Sequence, residues 1–193
     1  MEKIKLEDIH SNPVYEVGRP DFLKKIIELK KIRRVSVGDK ISLVFENRQT
    51  VLFQIQEMMR AEHIELLEKI GEEVDVYNDL IPDANELSAT LFIEITDAKK
   101  LKREMDSFQG LDKDHAVFLK IGDSQTAPAR FEPGRSREDR ISAVHYLRFK
   151  FSPVAKRLFK SLEEDAQLVI EHRHYRKNTR LSLETQKSLA RDL

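Results

Sequence analysis

Two histidines stand where apolar residues are expected. If residues 141–151 form a strand, Ile141, Ala143, His145, Leu147, Phe149 and Phe151 share one face. Residues 166–175 place His172 and His174 behind Ala166, Leu168 and Ile170 in the same way. A helix from Pro153 lies between the two segments, and a strand–helix–strand connection normally pairs its strands in parallel. As neighbours, His145 and His172 would face one cavity at similar heights. Two imidazoles so placed can hold iron, manganese or zinc, or share acid–base work. The alternative is a core His145 bonded to a backbone carbonyl, with His172 and His174 marking the wet end of a strand. There is no cysteine, so a thiolate-ligated cluster, a zinc ribbon and a thiol nucleophile are excluded.

The third metal-ligand candidate is Glu62. On a helix over 50–63, Val51, Leu52, Ile55, Met58 and Met59 fill one arc, and Glu62 falls inside it. A buried carboxylate needs a partner. Arg48 is the first expectation and His145 the second. The alternative is that the helix frays before Glu62 and leaves it in water. A further set of polar candidates is Glu46, Asn47, Arg48, Gln54, Glu57, Arg60, Tyr77, Asn78 and Tyr175. Asn47 and Asn78 also read as ordinary helix caps, and Met58 and Met59 as core.

No phosphate-cradling glycine loop, nucleophile elbow or H-E-x-x-H pair is present. The 34 basic and 34 acidic residues cancel, but unevenly. Residues 1–96 carry 13 and 19, whereas residues 97–193 carry 21 and 15. Ten acids lie between Glu57 and Glu86 against Arg60 and Lys69. This asymmetry points to self-complementarity, within a chain or across a homo-oligomer. The basic runs at Lys24, Lys25, Lys30, Lys31, Arg33 and Arg34, and at Arg130, Arg135, Arg137 and Arg140, read as solvated faces, so nucleic acid is not the expected partner. No apolar run reaches the roughly 18 residues of a membrane span. The acids in Met1–Ile9 do not suit a signal peptide. A cytoplasmic protein is expected.

The elements that must position these residues alternate irregularly. Asn12–Pro13 and Pro20–Asp21 read as successive helix starts, the second helix reaching about Ile32. Val35–Val37 and Ile41–Phe45 read as a hairpin about Gly38–Asp39. Helices follow over 50–63 and 65–77, closed by Pro82. Then come a strand over 87–95, a helix over 97–108 stopped by Gly110, and strands over 115–121 and 127–131. An exposed loop covers 133–140. The strand 141–151, a helix to Leu162, a single strand 166–175 and a helix over 182–192 complete the chain. The expected class is α+β, a mostly antiparallel sheet with helices on one face and a helical N-terminal region carrying a β-hairpin. One domain is expected over 1–193, with sub-regions 1–83 and 84–193.

Several runs carry a resemblance. They are Phe45–Thr50 (FENRQT), Gln54–Met58 (QIQEM) with Arg60 and Glu62, Tyr77–Pro82 (YNDLIP), Leu87–Leu91 (LSATL), Val144–Phe149 (VHYLRF) and the ending with Ser188 and Asp192. Over essentially the whole chain the sequence resembles a bacterial family catalogued as domain of unknown function 3501. The resemblance implies a protein of this size, often encoded near rubrerythrin-like and iron–sulfur proteins, and hence an association with peroxide or iron handling. The family's Asp-His-Pro-x-Tyr pattern stands here as Glu171-His172-Arg173-His174-Tyr175, so His172 and Tyr175 carry over and His174 does not. Three functions are open: an accessory or interaction protein serving an oxidative-stress or iron–sulfur redox partner, a small metal-dependent oxidoreductase, and a nucleic-acid binder.

Overall fold

In the computed structural model, which describes residues 1–113, 116–136 and 140–193, eight strands form one antiparallel sheet. The strands are β1 (Arg34–Val37), β2 (Ile41–Glu46), β3 (Glu86–Ile93), β4 (Val117–Ile121), β5 (Gln125–Phe131), β6 (Val144–Lys150), β7 (Ala166–His172) and β8 (Tyr175–Arg180). Their spatial order is β1-β2-β3-β6-β5-β4-β7-β8. The helices are α1 (Asn12–Arg33), α2 (Arg48–Ala61), α3 (Leu67–Asn78), α4 (Leu101–Ser107), α5 (Pro153–Ser161) and α6 (Leu183–Ala190), and a 3-10 turn covers Leu6–Asp8. The α+β class and the antiparallel sheet are as expected.

The sheet rolls until its edge strands meet. Thr179 Oγ1 on β8 donates to Ser36 O on β1 at 2.8 Å, and Tyr175 OH donates to Val37 O at 2.6 Å. The seam is thus closed by side chains where a barrel would have a ladder. The enclosed face is filled by residues that alternate along the strands other than β8, including Leu43, Phe45, Leu87, Leu91, Leu119, Leu147, Phe149 and Leu168. Ala155 and Phe159 of α5 and Leu189 of α6 close one end of this core, and Phe108 and Leu111 close the other. The barrel interior is therefore packed, not a ligand cavity.

A second core lies outside the barrel. Val51, Ile55 and Met59 of α2 meet Ile70 and Val74 of α3, with Ile4, Leu80, Ile81 and the outward-facing Tyr146. The hairpin turn forms as expected, with Gly38 at φ +70°, where a Cβ would collide with the Tyr175 hydroxyl. Asn47 caps α2, its Oδ1 accepting from Gln49 N and Thr50 N at 3.1 Å.

Three expectations need correction. The N-terminal helix is continuous through Pro20, because tertiary packing of Tyr15, Ile26 and Arg33 holds one axis across the missing N–H. The segment over 166–175 is not one strand. It ends at His172, and the polar run Tyr175–Arg180 returns as edge strand β8. Finally, β6 and β7 are neither parallel nor adjacent, since β5 and β4 lie between them. Among the described residues no helix is long and apolar enough to cross a membrane.

Candidate functional site

His145 and His172 do lie at one end of the barrel, although by a different route. His145 pairs with Leu91 near the end of β3, and His172 pairs with Tyr175 next to Val37 and the hairpin turn. Each ring engages a backbone carbonyl through Nε2: His145 with Ser142 O at 2.9 Å, and His172 with Gln109 O at 3.0 Å. Both are buried, and Phe108 stacks on His172 while Phe131 meets His145 edge-on. His145 Nδ1 is buried without a hydrogen-bond partner. Burial holds this imidazole below its ordinary value.

Glu62 is not with them. The last residue of α2 is Ala61, Glu62 is its C-cap at φ −98°, and His63 turns left-handed at φ +53°. The helical projection therefore stops one residue before Glu62, whose carboxylate is exposed. Its expected partner Arg48 pairs instead with Asp8 at 2.6 Å. Among the described residues no three His, Asp or Glu side chains converge as metal ligands. His115, Asp114 and residues 137–139, with Arg137, lie outside the described residues.

Most of the polar candidates tie elements together. Glu57 takes a bidentate pair from Arg19 at 2.7 and 2.8 Å and a bond from Tyr15 OH at 2.8 Å, which joins α2 to α1. The Arg19 guanidinium holds the Glu57 carboxyl below the usual carboxylate range. Arg60 pairs with Glu16 of α1. Asn78 clamps the chain start, accepting from Ile4 N at 2.8 Å and donating to Ile4 O at 2.9 Å. Tyr77 packs against the second core, and burial raises its hydroxyl. Tyr175 closes the seam.

Glu46 is different, because it is buried and opens onto a cavity. Its Oε2 accepts from Thr50 Oγ1 at 2.5 Å and Gln54 Nε2 at 3.1 Å, and Oε1 accepts from Thr90 Oγ1 at 2.7 Å. All three donors are neutral. The cavity holds about 320 Å³ on the outer sheet face, bounded by Leu80, Pro133, Tyr146, Arg148 and Arg130. A second cavity of about 420 Å³ lies where the 3-10 turn, the start of α1 and the α2–α3 connection meet, lined by Leu6, Pro13, Met59, Ile64, Leu67 and Ile70.

Arg33 and Gln56 are among the buried polar residues that sequence reasoning missed. Arg33, expected on a basic surface, is 1% exposed and pairs with Asp192 at 2.5 Å. It also donates to Phe45 O and Glu46 O. Its spacing of seven from Ile26 was the available signal, two helical turns on one face. Gln56, placed outside the apolar arc, is buried and clamps His10, accepting from its N at 2.8 Å and donating to its O at 3.1 Å.

Comparison with known proteins adds a family and a fold. A model of the family described as protein of unknown function (DUF3501) matches residues 3–193. The chain is similar to the crystal structure of a novel protein of unknown function from Burkholderia pseudomallei K96243. Identity is 29%, coverage is 100% of both chains, and the TM-score is 0.91. No curated protein matches. With its outer-face runs, its seam tyrosine and its matched residues taken together, the chain belongs to the DUF3501 family.

Proposed function

We propose that the protein is a non-catalytic accessory protein that docks a partner through the apolar groove between the 3-10 turn, α1 and α3. The observation that carries this reading is the exposure of the groove's own rim. Leu67 is 74% exposed and Leu6 48%, beside a floor of Met59, Ile64 and Ile70. Leu66, Val14 and Val17 add exposed apolar surface on the adjoining segments. Such a patch is costly in water unless something covers it.

The surrounding charge selects the occupant. Glu65 lines the groove, and Glu68, Glu72 and Asp75 stand exposed on α3, where Lys69 is the only base. An amphipathic helix with an apolar stripe and a lysine- or arginine-rich flank fits this surface. The peroxide- or iron-handling proteins implied by the family resemblance are the partners to try first.

The test is calorimetric titration with a helical peptide of leucine and lysine, alongside its leucine–glutamate counterpart. The expected result is binding of the basic peptide that weakens with salt and is lost in Leu67→Glu. Equal binding of both peptides, or binding unchanged by Leu67→Glu, would overturn the reading. Sedimentation equilibrium run in parallel decides whether a second copy covers the groove instead.

A further inference from the structure

The outer face of the sheet carries a row of four directly opposed residues on four adjacent strands. Glu46 on β2 stands opposite Ser88 on β3, Ser88 opposite Arg148 on β6, and Arg148 opposite Arg130 on β5. Adjacent strands lie about 4.8 Å apart, so the row spans roughly 14 Å from Glu46 to Arg130. Ser88 is the only small side chain in it, and its hydroxyl donates to Leu80 O at 2.5 Å. Ser88 lines the 320 Å³ cavity between the charged ends of the row.

The two ends of the row are electrostatically incomplete. Like charges placed directly opposite destabilise a sheet. Arg148 is neutralised, donating to Asp83 at 3.1 Å, Glu86 at 3.0 Å and Asp79 O at 2.5 Å. Arg130 is exposed and pairs with no carboxylate among the described residues. Arg135 is taken up elsewhere, pairing with Glu132 and stacking its guanidinium 3.8 Å from the Tyr146 ring centroid. At the opposite end, Glu46 is 3% exposed, receives three neutral donors and no cation, and its Oε1 accepts one bond of the two it can take. A buried carboxylate with a spare acceptor site and a guanidinium without a carboxylate partner among the described residues thus line one space of ligand size.

We infer that this cavity binds a small zwitterion whose cationic and carboxylate groups lie several bonds apart, such as a basic amino acid or a dipeptide. The ammonium sits at Glu46 Oε1, the carboxylate reaches Arg130, and the intervening chain lies over Ser88 against Tyr146 and Leu80. A simple anion fits poorly, because Glu46, Asp79 and Glu132 also line the cavity. A simple cation leaves Arg130 unanswered. The site is separate from the apolar groove and does not rest on the docking role proposed for it.

The experiment is NMR titration of the full chain with lysine and glycylglycine, and with pentylamine, pentanoate and inorganic phosphate as single-charge probes. The expected result is saturable shifts of Ser88, Thr90 and Tyr146 signals by a zwitterion, with single-charge probes at least roughly tenfold weaker. Arg130→Gln, a change at an exposed side chain, should weaken the zwitterion by about tenfold and leave the remaining spectrum in place. Glu46→Gln is read beside it, keeping the shape and one acceptor oxygen while removing the charge, with a similar loss expected. Phosphate or pentanoate binding as tightly as the zwitterion would overturn the inference. So would saturable binding unchanged in Arg130→Gln, or no shift by either zwitterion at millimolar concentration.

Discussion

The hydroxyl of Tyr175 and the carbonyl of Val37 are 2.6 Å apart, and the same hydroxyl accepts from Lys40 N at 3.2 Å. One side chain therefore answers two backbone groups of the opposite sheet edge. Burial pushes this phenol up from its ordinary value, so it remains a donor throughout the physiological range. Tyr175→Phe keeps the ring against Phe108 and removes only the oxygen. The expected cost is about 1–3 kcal/mol, since two buried backbone groups lose their partner. Urea denaturation of the variant measures it. Gly38→Ala should lower the midpoint as well, because its φ is left-handed and its Cβ would strike the same hydroxyl.

Asp192 and Arg33 form the most buried ion pair among the described residues, with side chains 7% and 1% exposed. Asp192→Ala strands the guanidinium and should destabilise by about 3–5 kcal/mol. Arg33→Met combined with Asp192→Leu should cost less than the single substitution, because no charge is left behind. A double-mutant cycle read by chemical denaturation checks the order.

Glu62→Ala should leave the thermal midpoint almost unchanged, within about 0.5 kcal/mol, as for other surface positions. Glu57→Ala should be the damaging acid substitution in α2, because it frees Arg19 and Tyr15 together. Differential scanning calorimetry of the two variants side by side separates them.

His145 should stay neutral below the pH at which a free imidazole charges. Burial lowers it, with the hydrogen bond to Ser142 O and the charge of Asp112 pulling the other way and Arg135 reinforcing the shift. As pH falls through about 6.5, the unfolded chain takes up this proton before the folded one does. Its contribution to stability is therefore whole above that pH and erodes below it. Proton and nitrogen NMR of the ring gives the titration and should show the proton on Nε2, facing Ser142 O. Elemental analysis of protein grown with iron, manganese and zinc tests the remaining metal expectation. If His145 and His172 hold an ion, His145→Ala removes it while the barrel signals persist.

The alternation of Leu43 and Phe45, of Leu87, Ala89 and Leu91, and of Leu147 and Phe149 made the inner strands legible, because each buries one face against a shared core. Asn47, Gly38 and Pro153 marked their boundaries through local chemistry. Strand β8 was not legible. Tyr-Arg-Lys-Asn-Thr-Arg has no apolar alternation, because only Tyr175 points into the core and the rest is an exposed edge. The row Glu46, Ser88, Arg148, Arg130 was hidden for another reason. Its members sit 42, 60 and 18 positions apart along the chain, and only the strand order brings them together. The sequence placed Glu46 in a candidate site but supplied no cue to its opposite number.

The Arg33–Asp192 pair also orders events in time. A ribosome delivering the chain from its amino terminus must add 159 residues after Arg33 before Asp192 exists. Until then the arginine has the carbonyls of Phe45 and Glu46 to bond, but no counter-charge, and α1 can settle against β2 only with that guanidinium still hydrated. The segment that follows α6 therefore latches α1 only after Asp192 has been added. A nascent chain halted before it holds its helical layer loosely, and is the form that chaperones and proteases would meet first.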